Sequence, residues 1–112
     1  MDARCGEVMI NVELQYFNGC PNSQKLIDNT KGALDELGEN VNYIEVLVDS
    51  PEKANEAKFR GSPTLLVNNI DFESMEEPES PSLACRFYQN GIPSSSNIKE
   101  FILMDLLKLN TQ

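Results

Sequence analysis

The stretch YFNGCPNSQKL, residues 16–26, sets a single thiol between an alternating apolar run and a helical pattern. From Val8 to Phe17 the chain alternates, with Ile10, Val12, Leu14 and Tyr16 on one face and Asn11, Glu13 and Gln15 on the other. That is the period of a β-strand. Beyond the thiol, Pro21 suits the first position of a helix, where its missing N–H costs nothing, and Leu26, Ile27, Thr30, Ala33, Leu34 and Leu37 recur along one face. Gly38 is placed to close that helix. Cys20 therefore falls at a strand-to-helix junction, where unpaired backbone N–H groups and the positive end of the helix dipole favour thiolate over thiol.

Outward from this motif, a second alternating run from Val41 to Val48 completes a strand–helix–strand unit with a connection long enough for a parallel crossover. In DSPEKANEAKFRG, residues 49–61, Ser50 can cap, Pro51 can open and Gly61 can end a short helix. SPTLLVNNIDF, residues 62–72, reads as a hairpin: a strand from Thr64 to Val67, an Asn68-Asn69 turn, and a short strand from Ile70 to Phe72. The last periodic segment is a helix from Asn97 to Leu109, with Ile98, Phe101, Ile102, Leu106 and Leu109 facing inward and Asn97 with Glu100 approximating a capping box. Between them lies a loop over residues 73–96, rich in Pro, Ser and Glu and long enough to call for a functional reason. The organisation expected is a flexible leader over 1–7 and one domain over 8–110.

Composition removes several classes of function. With 18 acidic against 9 basic residues, the chain's charge of −9 repels phosphate backbones and anionic membrane surfaces, so neither nucleic acid nor a membrane is an expected partner. No apolar run approaches the ~20 residues of a membrane span, and the N-terminus reads as carrying no export signal, which makes the cytoplasm the expected location. The absence of histidine excludes Cys-His and Ser-His catalysis and imidazole zinc sites. Three cysteines, Cys5, Cys20 and Cys85, match no zinc spacing and, being odd in number, no disulfide framework; Cys5 reads as a surface thiol of the leader. No cofactor and no resident metal is implied.

The element order, with Cys20-Pro21 opening the first helix and Gly61-Ser62-Pro63-Thr64 opening the third strand, resembles the thioredoxin and glutaredoxin superfamily over nearly the whole chain. The segments YFNGCPNS, GSPT and CRFYQNG resemble a group of small bacterial and archaeal thioredoxin-like proteins. The resemblance implies an α/β thioredoxin-like fold, β-α-β-α-β-β-α around a central four-stranded mixed sheet. It implies Cys20 as nucleophile and Pro63 as a cis-proline facing it. Ser62 would then leave its backbone open to an extended thiol substrate, with Pro21 and Thr64 beside it, and Ser23 would donate to the thiolate.

Ser23 also marks a departure, for it stands where most thiol-disulfide enzymes of this fold carry the second cysteine of Cys-x-x-Cys. The site thus resembles a monothiol one, without the Cys-Gly-Phe-Ser of iron–sulfur carriers. If the first strand ends at the site, the third begins there and the fourth returns to it, so the long loop starts beside Cys20. Cys85 can then act as the resolving thiol, with Arg86 steadying a thiolate; alternatively LACRFY docks as an apolar plug through Leu83, Phe87 and Tyr88, with Cys85 incidental. Three functions follow. The first is a thiol-disulfide oxidoreductase-like protein acting on protein or small-molecule thiols and disulfides, resolved by Cys85 or a small thiol. The others are a binder of soft ions such as Cu(I) or Hg(II) through Cys20 and Cys85, and a redox-silent interaction module.

Overall fold

The computed structural model describes residues 10–37 and 41–110, with side chains described as far as residue 104. Its elements are β1 (Ile10–Tyr16), α1 (Ser23–Leu37), β2 (Val41–Leu47), α2 (Pro51–Ala57), β3 (Thr64–Val67), β4 (Ile70–Asp71) and α3 (Ser95–Asn110). This is the expected order, and the sheet is four-stranded and mixed, β2-β1-β3-β4. β1 runs parallel to β2, and β3 lies antiparallel to both β1 and β4. No helix among the described residues is long and apolar enough to cross a membrane. The expected leader, Val8 and the Gly38 stop lie outside the described residues, as do the side chains of Leu106 and Leu109.

Register decides which side chains meet. Val12 opposes Val67 and Leu14 opposes Leu65, and this face packs on Leu26, Ile27 and Ala33 of α1 and on Ile98 and Ile102 of α3. The other face carries Gln15 opposite Thr64 and Leu66 opposite Asp71. Alternation marks Gln15 as solvent-facing, yet it is buried, donating to Glu13 Oε2 at 2.6 Å, because this face is covered too. Part of the cover is a second small core of Val48, Ala54 and Phe59, with Phe17 and Val46 against it. The Asn68-Asn69 turn takes the left-handed φ values of 50° and 69° that a two-residue hairpin requires, and β4 stops one residue short of Phe72.

Three element ends differ from expectation. α1 begins at Ser23 rather than Pro21, because the Ser23 N–H turns back to the Cys20 carbonyl at 3.2 Å and the first helical bond runs from Leu26 to Asn22. α2 ends at Ala57 and is capped by Lys58, whose φ of 54° is left-handed; the Lys58 N–H donates to the Asn55 carbonyl at 3.3 Å and the Phe59 N–H to the Ala54 carbonyl at 3.0 Å, so Gly61 is not its stop. α3 begins at Ser95: Ser94 Oγ accepts from the Asn97 N–H at 3.1 Å and its carbonyl takes the Ile98 N–H at 3.0 Å. Ser94 is thus the cap, and Asn97 lies inside the first turn.

Ser94→Ala is expected to cost about 1 kcal/mol in urea unfolding by leaving that N–H uncapped. Asn97→Ala, on the exposed side of the first turn, is expected to stay within about 0.5 kcal/mol. Equal losses would return the cap to Asn97.

Candidate active site

Gly19 takes a φ of 104°, open to glycine and strained for other residues, and turns the chain from β1 into Cys20. Cys20 is buried, 7% exposed, in the turn before α1. Its sulfur is bonded to that of Cys85, 65 residues later, with the two Cα atoms 5.6 Å apart. Pro63 follows a cis peptide bond, and Ser62 forms a parallel bridge with Cys85. The Ser62 N–H donates to the Ala84 carbonyl and the Arg86 N–H to the Ser62 carbonyl, both at 2.8 Å.

These two bonds revise one expectation. The Ser62 backbone is not open to a substrate; the chain's own Ala84–Arg86 lies along it. Gly61 explains how that segment comes so close. Its φ is 114°, and a Cβ there would stand 2.8 Å from the Arg86 Cβ, nearer than side chains tolerate.

Arg86 anchors the segment. Its guanidinium is buried, donating through Nη1 to Asp71 Oδ1 at 2.7 Å and through Nη2 to Asp71 Oδ2 at 2.8 Å. It also reaches Thr64 Oγ1 at 3.3 Å and Glu73 at 3.6 Å, and lies 4.5 Å from the centre of the Tyr88 ring. Asp71 Oδ2 accepts in addition from the Glu73 and Met75 N–H groups. Burial works against both charges, but their mutual hydrogen bonds and the two backbone donors outweigh it, holding Asp71 below the usual carboxylate range and Arg86 above its own usual value. Burial also pushes the Tyr88 phenol up, so it remains a hydroxyl and donates to the Pro63 carbonyl at 2.9 Å.

The sequence-derived residues therefore gather at one end of the sheet, in roles partly different from those expected. Ser23 Oγ meets Ser62 Oγ at 2.9 Å, and Ser62 Oγ accepts from the Phe17 N–H, so Ser23 ties α1 to the cis-proline loop rather than serving a sulfur. Thr64 is buried, donating to the Gly61 carbonyl and accepting from Arg86. Pro21 is exposed beside Cys20. Arg86, expected to steady a thiolate, is paired with Asp71. The plug reading holds for Tyr88, which joins the main core, but Phe87 is 73% exposed and Leu83 38%. Asp71 and Arg60 escaped the sequence reading; an aspartate amid the apolar residues of a short strand was the available signal.

No cluster of three or more metal-ligating side chains occurs among the described residues. Among solved structures the chain is similar to thioredoxin-2, a component of the malaria parasite protein secretion machinery. The likeness has a TM-score of 0.58 at 13% identity and spans 86% of this chain and 82% of that one. The fold is thioredoxin-like. No family model and no curated protein matches the chain. On this thioredoxin-like frame the covalent partner of Cys20 comes from the long loop, and the loop is held by charge.

A carboxyl whose folded pKa lies below its unfolded value, about 3.9 for Asp, contributes stability above that value and loses it as pH falls through the folded one. The Asp71 contribution is thus expected to begin falling near pH 4 and to be lost only at lower pH. Arg86→Met, which strands the buried Asp71 carboxylate, is expected to cost about 3–5 kcal/mol at pH 7 in denaturant unfolding and clearly less as pH falls below about 4. A penalty independent of pH would remove the ion pair as its cause.

Proposed function

We propose that this chain is a thiol-disulfide oxidoreductase-like protein in which Cys20 is the nucleophile and Cys85 the resolving thiol. The Cys20–Cys85 disulfide supports this reading above all, since it supplies from the loop the second sulfur that Ser23 replaces in the motif. In the reduced protein the Cys20 thiolate attacks a substrate disulfide R–S–S–R′, forming Cys20–S–S–R and releasing R′S⁻. The Cys85 thiolate then attacks the Cys20 sulfur, forming Cys20–S–S–Cys85 and releasing RS⁻. The substrate is reduced by two electrons and the protein oxidised by two.

Substrates of this chemistry are protein or small-molecule disulfides, and the setting we assign is a reducing one, the cytoplasm, where the internal disulfide is a turnover state. An extended substrate approaching along Ser62 must displace residues 84–86, which occupy that edge in the oxidised form. The segments YFNGCPNS, GSPT and CRFYQNG place the chain, in this reading, with the small thioredoxin-like proteins they resemble.

The test is a single turnover of reduced protein with a small disulfide, resolved by mass spectrometry. Wild type is expected to end as the internal disulfide, with both substrate thiols released. Cys85→Ser is expected to stop as a mixed disulfide on Cys20, and Cys20→Ser to react at least tenfold more slowly, the scale on which a helix N-terminus activates a thiol. A Cys85→Ser protein that turns over like wild type would leave Cys85 without a resolving role.

A further inference from the structure

The two halves of the disulfide differ in access. Cys20 is buried, whereas Cys85 is exposed and forms part of the wall of an open cavity of about 590 Å³, within the range of small-molecule sites. The cavity lies between the Phe59–Gly61 segment and the long loop, and Met75 and Phe87, both exposed, give it an apolar side. Cys20 does not line it.

The charged groups in that wall are not equivalent. Arg86 is committed to Asp71. Glu73 accepts from the Gln89 N–H through Oε2 and faces Arg86 through Oε1. Arg60 remains. Its side chain is 9% exposed and its Nε donates to the Met75 carbonyl at 2.8 Å, with Asp71 Oδ1 4.0 Å from the same atom. No hydrogen bond among the described residues uses its two Nη atoms. A planar guanidinium with a free edge suits a carboxylate.

From this juxtaposition we infer that the cavity is the entry site for the reductant, a low-molecular-weight thiol bearing a carboxylate, which Arg60 binds while its sulfur attacks Cys85. The inference rests on the exchange chemistry proposed above and gives that chemistry a direction. The incoming thiolate RS⁻ bonds to the Cys85 sulfur, the Cys20–Cys85 bond breaks, and the electron pair leaves with the Cys20 sulfur. That thiolate forms in the turn before α1, where the helix dipole favours negative charge. A second RS⁻ attacks the R–S–S–Cys85 bond at the R sulfur, giving RSSR and the Cys85 thiolate. Two thiols are oxidised and one disulfide reduced. Substrate and reductant thus engage different cysteines, from different sides of the same bond.

The test opens the oxidised protein with mercaptopropionate, mercaptoethanol or cysteamine, each rate scaled to that thiol's rate on a neutral small disulfide. The chain's charge of −9 would by itself favour cationic cysteamine. The expected order is the reverse, with mercaptopropionate fastest. Arg60→Gln is expected to slow mercaptopropionate about tenfold, the loss of one charge-assisted contact, and to leave cysteamine within about twofold, which also reports that the variant is folded. Arg60→Lys should restore part of the rate. Acid quenching early in the reaction should find the mixed disulfide on Cys85.

A mixed disulfide on Cys20, or an Arg60→Gln effect equal for all three thiols, would overturn the entry site while leaving the exchange chemistry intact. A disulfide that none of the thiols opens would overturn the proposed function itself.

Discussion

The bidentate pair between Arg86 and Asp71 is the contact on which the site depends. Two opposite charges removed from water are held only when geometry is good and their remaining hydrogen-bonding groups are satisfied. Here Asp71 adds two backbone donors, and Arg86 adds Thr64, Glu73 and the Tyr88 ring. The result is a fixed point in a loop that otherwise has neither helix nor strand. Because Arg86 follows Cys85 directly, fixing the one places the other.

That placement changes what the cis-proline edge does. Ser62 is paired by its own chain, which lies there as an extended peptide would, with a cysteine opposite Cys20. Ser23 serves the same arrangement: its hydroxyl reaches Ser62, whose oxygen also takes the Phe17 N–H, so the first turn of α1, the end of β1 and the cis-proline loop are joined through two hydroxyls. A cysteine at position 23 would join them less well, since a thiol is a weak donor and acceptor. The residue that looks like a loss from the motif thus has a structural occupation.

Much of this was legible in the sequence because it rests on local periodicity. The alternation of Ile10, Val12 and Leu14 and the helical spacing of Leu26, Ile27 and Ala33 give the strand, the helix and the face they share. The Asn68-Asn69 turn was legible because few residues tolerate two successive positive φ values. Cys20, Pro63 and Cys85 could be brought to one end of the sheet through the strand directions that the thioredoxin resemblance implies. Pairings without a local signature were not legible. The caps at Lys58 and Ser94 compete with equally plausible neighbours. Gln15 is buried by a face whose covering only the fold reveals. The sequence reading gave Arg86 only a sulfur as partner, and the carboxylate it meets, Asp71, lies opposite Leu66 in β4.

The span of the disulfide carries a thermodynamic consequence. A bond between residues 65 apart encloses α1, β2, α2, β3 and β4, leaving, among the described elements, β1 and α3 outside the covalent ring. Closing a ring of that size in the unfolded chain removes conformational freedom worth about 4 kcal/mol on chain-entropy grounds, a sizeable share of a small domain's stability. By linkage the relation runs both ways: any interaction stronger in the oxidised fold than in the reduced one favours the disulfide to the same extent that the disulfide favours that interaction. Conformational stability and electron exchange are therefore coupled in this protein through one covalent ring.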